Sequence, residues 1–289
     1  MRIGLQVPSF TFPGGPERIA AEFGRIAREA DRGGLASLWV MDHLFQIQSV
    51  GPAEEPMLEG YSALAYAAAL TEDITLGTMV TGVSYRSPAL LVKTVTTLDV
   101  LSGGRAWLGV GAAWNEEESR GLGLHFPPTA ERFELLEDTL RLAHQMWKGD
   151  ESAFEGRRIS AERPLNSPPA VRRPHPPILV GGMGEKKTLR FVAKYADACN
   201  IFDGEHLPHK LQVLREHCER EGRDYAEIEK TSLTVLPDTA SAGQAVDTAG
   251  RLADAGVDHV IFSQRTGQDL AGVLAEARAE TDKIVPAGR

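Results

Sequence analysis

The chain has 289 residues, 42% of them hydrophobic and 25% charged, so it can bury a core large enough to need neither metal nor disulfide. Its formal net charge of -9 works against nucleic acid and anionic membrane as partners, and any anionic ligand has to be held by local positive groups. The two cysteines, Cys199 and Cys218, lack metal-ligand spacing and read as small buried apolar residues.

Met1 leads directly into a first strand, Ile3–Pro8, with no secretory signal or long apolar run in view; the expectation is a cytoplasmic protein. After Pro16, Ile19, Phe23, Ile26, Ala27 and Ala30 recur at helical spacing until Gly33-Gly34. Strands are predicted next at Ser37–Asp42 and Ile74–Val80. Ser87-Pro88 then opens a helix, Ser suiting the N-cap and Pro the first turn. That helix carries Leu91, Val92, Val95, Leu98 and Leu101 inward and stops at Gly103-Gly104. A strand at Ala106–Gly111 leads to three acids, Glu116, Glu117 and Glu118, read as the solvated start of a short helix. Phe133, Leu136, Leu140, Ala143 and Trp147 form the next stripe, closed by Gly149. Strands follow at Ile178–Gly181, Ala198–Phe202, Thr231–Leu236 and His259–Ser263. Two more stripes separate the last of them: Leu207, Leu211, Leu214 and Cys218, then Val246, Ala249, Leu252 and Ala253.

Each strand is apolar throughout rather than alternating, as parallel strands covered on both sides are. Eight strand-then-helix units argue for a (β/α)8 TIM barrel. An open doubly wound sheet is the alternative, but the first strand is followed by Pro8-Ser9-Phe10-Thr11, not by a glycine fingerprint. The expectation is a single barrel domain over residues 1–289. Residues 150–177 break the rhythm. They hold a predicted hairpin (Ala153–Glu155 against Arg158–Ala161) and a proline-rich run, and are read as an insertion between the fourth helix and fifth strand, over the barrel mouth, with an ordinary long surface loop as the alternative.

In such barrels the chemistry sits at the C-terminal ends of the strands. There, Gly181-Gly182-Met183-Gly184 passes from a strand straight into a helix. Bare backbone N–H groups and a helix N-terminus suit a phosphate. Lys186 and Lys187 are placed in the first helical turn, where an anion would offset their repulsion by the dipole. A plain tight turn with two solvated lysines fits the same residues. His43 follows the second strand, where an imidazole can act as general acid or base, and Asp42 precedes it. A hydrogen-bonded rim histidine is the alternative. His43, His125, His175, His206 and His209 have no zinc-type spacing, and no Gly-x-Ser-x-Gly is present. Trp39 and Trp107 read as packing and Trp147 as core or interface, while Trp114, directly after a strand, either faces the pocket or packs like the others.

Five segments together resemble a known family: Trp39-Val40-Met41-Asp42-His43, Leu76 to Thr81, Asp99 to Arg105, Leu108 to Glu116 and Ile178 to Gly184. They are similar, in order and along nearly the whole chain, to the luciferase-like monooxygenase superfamily. The likeness is strongest to its coenzyme F420-dependent branch. The resemblance implies an oxidoreductase with a flavin or deazaflavin ring across the strand ends. It implies a non-proline cis peptide at Met79-Val80, a ring contact from Thr81, Ala112, Ala113 and Asn115, and a phosphate turn at Gly181, Gly182, Met183 and Gly184. His43 matches the family's active-site histidine, and Asp42 accompanies it on the cofactor side. F420-dependent sugar-phosphate dehydrogenases of the superfamily carry an acid in the strand-four loop and a tryptophan after the histidine. Here Trp114 and Leu44 to Gln46 stand in those places, which argues against a sugar phosphate.

Three functions follow as expectations. The first is F420-dependent hydride transfer to or from a small organic substrate. The second is an FMN-dependent monooxygenase using reduced flavin and oxygen. The third, of another class, is a flavin-binding barrel without turnover. The polyanionic tail of F420 would call on Arg86, Lys186, Lys187 or Arg265. Family analogy also implies a homodimer.

Overall fold

The computed structural model describes residues 1–265 and 267–287. In chain order it contains β1 (Arg2–Val7), α1 (Pro16–Arg32), β2 (Ser37–Val40), α2 (Gly60–Ala68), β3 (Thr75–Thr78), β4 (Thr81–Gly82) and α3 (Pro88–Leu101). Then come β5 (Ala106–Gly111), α4 (Glu116–Gly121), α5 (Thr129–Trp147), β6 (Phe154–Glu155), β7 (Ser160–Ala161), β8 (Ile178–Gly181) and α6 (Thr188–Tyr195). The chain continues through β9 (Ala198–Phe202), α7 (Leu207–Glu221), β10 (Glu229–Val235), α8 (Ala242–Asp254), β11 (His259–Ser263) and α9 (Leu270–Thr281).

The large sheet runs β3-β2-β1-β11-β10-β9-β8-β5, and β3 pairs with β5, so it closes on itself. All these pairings are parallel. Closure rules out the open doubly wound alternative. The fold is a (β/α)8 barrel, with β3 and β4 acting as one stave: Gly77 faces Trp107 and Thr81 faces Val110. Four residues on one side thus span three on the other, a bulge of one residue. The Met79–Val80 peptide inside it is cis.

Trp39, Met79, Trp107, Leu179, Ala198 and Ile261 form one buried cluster. They come from staves all round the barrel, so they can meet only inside it. Trp39 and Trp107 pack edge to face at 5.8 Å, in keeping with the sequence reading. Gly77 makes room for them, because a Cβ there would lie 2.4 Å from the Trp39 ring. A second, larger cluster lies between the sheet and the helices and includes both cysteines.

Four expectations need correction. Leu101 is 71% exposed. It lies nine residues beyond Val92, about half a turn away at 100° per residue, so the apolar stripe ends at Leu98. Ser87 holds the N-cap position of α3, but its hydroxyl makes no cap hydrogen bond. Lys186 and Lys187 precede α6, which begins at Thr188. The segment between α5 and β8 does not cover the barrel mouth. It holds the β6–β7 hairpin, and its backbone is fastened to the helices outside: Arg158 N–H to Asp138 at 2.7 Å, and Val171 and Arg172 N–H to Asp99 at 2.7 and 3.0 Å. Buried carboxylates on α3 and α5 thus draw its polar backbone down the flank of the barrel.

Candidate active site

The C-terminal ends of the strands enclose a cavity of about 700 Å³. Its wall includes His43, Met79, Val80, Ala112, Ala113, Gly181 and Gly182, so the histidine, the cis bulge and the glycine turn share one space. Gly111 and Gly181 are required by close packing: Cβ atoms there would come within 3.0 and 2.8 Å of the Val80 methyls.

His43 is fixed from behind. Its Nδ1 lies 2.6 Å from Glu118 Oε1, and both side chains are nearly or fully buried. The other Glu118 oxygen accepts the N–H of Leu44 at 2.8 Å and of Phe45 at 3.2 Å, and Tyr85 donates its hydroxyl to Oε1. Burial pushes the Glu118 carboxyl up, but hydrogen bonds from His43 and Tyr85 outweigh it and hold it below the ordinary carboxylate range. Burial and the adjacent carboxylate push the Tyr85 phenol up, so it stays a donor. No described residue hydrogen-bonds His43 Nε2. With Nδ1–H donated to a carboxylate, that second nitrogen is available to accept or give a proton at the cavity. Trp114, 62% exposed, stands edge-on to the imidazole at 5.3 Å.

Glu118 corrects the sequence reading of a solvated acid. α4 is a single short helix whose N-cap, Asn115, accepts from Glu118 N at 3.4 Å. That turn swings the third acid of the run inward beneath His43, while Glu116 stays at the surface in a pair with Arg120. A run of three acids carries no mark of which one is buried.

Several sequence-assigned positions do not line the cavity. Asp42 is buried behind it and bound by both terminal nitrogens of Arg86, which also pairs with Glu59. Burial pushes the Asp42 carboxyl up, against the pull of that guanidinium. Thr81 bonds Tyr61 and Thr78 hydroxyls at 2.8 and 2.9 Å. Asn115 caps α4, and Met183 packs at the edge of the core. Gly184 lies under Thr188, whose Oγ1 a Cβ would approach to 2.8 Å. The Gly182 N–H is taken by Asn200 O at 3.2 Å. The turn's donors without a bonded partner among the described residues are those of Met183 and Gly184.

The opposite wall went unassigned from sequence: Gln6, Ile47, Val50, Phe202, Leu233, Val235 and Ser263. Most sit at the ends of β1, β9, β10 and β11. The strand-end rule that found His43 would have found them, but no recognisable motif marks these four ends.

Residues 1–287 match the family model for luciferase-like monooxygenases. The protein belongs to that family, and it is an oxidoreductase. Among individual relatives, it is 32% identical to an F420-dependent glucose-6-phosphate dehydrogenase of Kineococcus radiotolerans over 71% of this chain and 60% of that one. Among solved structures it is similar to an F420-dependent secondary alcohol dehydrogenase in complex with an F420-acetone adduct. That likeness has a TM-score of 0.81 at 16% identity, covering 97% and 98% of the two chains. It is also similar to the FMN-bound oxygenating component of a Baeyer–Villiger monooxygenase from Pseudomonas putida. There the TM-score is 0.70 at 17% identity, over 100% and 98% of the chains. At such identities these structures speak for the fold.

Proposed function

We propose that the protein transfers a hydride between coenzyme F420 and a small organic substrate, with His43 as the proton donor or acceptor. The observation that carries this reading is the shared cavity, in which one open imidazole nitrogen faces a cis bulge and a glycine turn.

The residues fit a tricyclic ring with a phosphate tail. Gly111, Ala112, Ala113, Gly181 and Gly182 present almost bare backbone, and a Cβ on Gly181 would close against Val80. Met183 and Gly184 offer N–H groups just before α6, where the helix dipole favours an anion. A bound deazaflavin would supply two-electron hydride chemistry. The chain's own part is positional and protonic. Glu118 holds His43 Nδ1–H, which leaves Nε2 to take the proton of a substrate hydroxyl or return it to a carbonyl oxygen. Tyr85 and the Leu44 and Phe45 N–H groups keep Glu118 in place. The F420-dependent relatives support this choice of cofactor; the FMN-bound neighbour keeps a monooxygenase as the competing reading.

Equilibrium titration of the purified protein with F420 and with FMN, read by absorbance and fluorescence, tests the proposal. Tight binding of F420 with weaker binding of FMN is expected. Tight binding of FMN alone would overturn it in favour of the monooxygenase.

A further inference from the structure

We propose that the substrate is an uncharged compound with an apolar body carrying one alcohol or carbonyl group, and that Trp114, Phe202 and Val235 set this specificity. The inference rests on the hydride-transfer reading above and adds to it what the cavity can hold.

Among the described residues, the cavity is lined by no Asp, Glu, Lys or Arg. The barrel order divides its wall. Small residues of β4, β5 and β8 and the cis bulge form one side, while β9, β10, β11 and β1 close the ring opposite them. On that opposite side stand Phe202, Leu233 and Val235, joined by Ile47 and Val50 from the β2–α2 loop. Val50, Trp114, Phe202 and Val235 are 37%, 62%, 48% and 49% exposed, so four large apolar side chains converge on one cavity while still facing water. Isolated exposed hydrophobics are ordinary, but a contiguous group around a concave site marks a surface that a ligand covers.

The same wall disfavours a phosphorylated sugar. A dianion placed there would lose its water and meet no cation. The arginines nearest in sequence to the strand ends are already paired, Arg86 with Asp42 and Glu59, and Arg265 with Asp238 at 3.5 Å. Lys187 lies 5.2 Å over the Phe133 ring, and Lys186 lines a separate groove between α6 and α7. A net charge of -9 adds repulsion at long range. For an alcohol the balance is simple. His43 Nε2 would take the hydroxyl proton, and a bound oxidised deazaflavin would supply the acceptor for the carbinol hydride, so that the alcohol would leave as a carbonyl compound.

The F420-loaded protein is assayed with 2-alkanols from 2-butanol to 2-decanol and with glucose 6-phosphate. We expect kcat/KM to rise about fourfold per added methylene until the wall is covered, and no turnover of glucose 6-phosphate. In Trp114→Ala and Phe202→Ala the dependence on chain length flattens. Binding is read independently of turnover, by quenching of tryptophan fluorescence as each alkanol is added to the loaded protein. Preferred turnover of glucose 6-phosphate, or a series flat in both kcat/KM and quenching, would overturn the inference. Failure of the cofactor reading looks different: F420 would not bind, while quenching in FMN-loaded protein would still rise with chain length.

Discussion

Two histidine–glutamate pairs sit at opposite ends of the barrel. At the C-terminal end His43 Nδ1 meets Glu118 at 2.6 Å; at the N-terminal end His259 Nδ1 meets Glu229 at 2.9 Å. The donor and acceptor atoms are the same. The second ring nitrogen differs. His259 Nε2 is bonded to Ser37 Oγ at 2.9 Å, and that hydroxyl also accepts from Trp39 Nε1 at 2.7 Å. Ser37, His259 and Glu229 thus mimic the order of a hydrolytic triad, yet Ser37 and His259 are fully buried and neither lines the cavity at the other end. At His43 the second nitrogen is left open beside about 700 Å³ of space. A paired imidazole is a reactive group only where one nitrogen stays unspent and a ligand can reach it. Where both are spent, it fastens strands.

Substitutions break this comparison in opposite directions. The largest expected effect is His43→Ala. Losing a positioned acid–base group lowers kcat by roughly 10²–10⁴-fold. Cofactor affinity is expected to stay near that of the parent, while Tm falls by a few degrees because the buried Glu118 loses one of its hydrogen-bond partners. A variant as active as the parent would remove His43 from the chemistry. Next comes Glu118→Gln. The exchange replaces a charge-assisted hydrogen bond worth about 1.5–3 kcal/mol, so kcat/KM falls about 10- to 100-fold. The pH–rate profile shifts as well, since a neutral amide removes the negative charge beside the imidazole. A purely structural role would lower Tm and leave that profile where it was.

The two ends were unequally legible in the sequence. The staves were readable because parallel buried strands are apolar throughout, and β5, β8, β9 and β11 lie where that pattern puts them. α2 was not read: Gly60–Ala68 is small and apolar on most faces, so no helical stripe stands out. His43 could be found because it follows a strand end within a recognisable motif. Glu118 could not, because its burial depends on a single turn of α4 closing against Leu44 and Phe45, 73 or more residues away in sequence. The apolar wall was missed for a similar reason. Val50, Phe202 and Val235 look like ordinary loop or strand-end residues until the ring closes and gathers them.

At the sealed end, His259→Ala is expected to cost stability rather than activity. Ser37 and Glu229 each lose a buried partner, worth about 1–3 kcal/mol in all. Chemical denaturation reads this as a lower midpoint, with kcat per folded molecule unchanged. A fall in kcat of tenfold or more would mean that the two ends of the barrel are coupled.

The smallest effect is a pH dependence that belongs to His259. Burial lowers the imidazole from its ordinary value of 6.5, and the hydrogen bond it donates to Glu229 only partly restores it. Arg2 opposes protonation and Asp258 favours it. Below about pH 6.5 the unfolded chain therefore takes up a proton that the folded chain still refuses. Stability is full above that pH and declines as the pH falls, by at most about 1.4 kcal/mol per unit from this one group, until the folded His259 itself titrates. His144, which burial also lowers, adds to the decline in the same direction. Denaturant melts of the parent and of His259→Gln from pH 7.5 to 5 separate the two contributions. The variant is less stable at pH 7.5 but loses stability more slowly as acid is added, so the two curves converge. Curves that move apart as acid is added would mean that His259 is already protonated in the folded barrel. The Nε2 contact with Ser37 would then be a donated hydrogen bond instead of an accepted one.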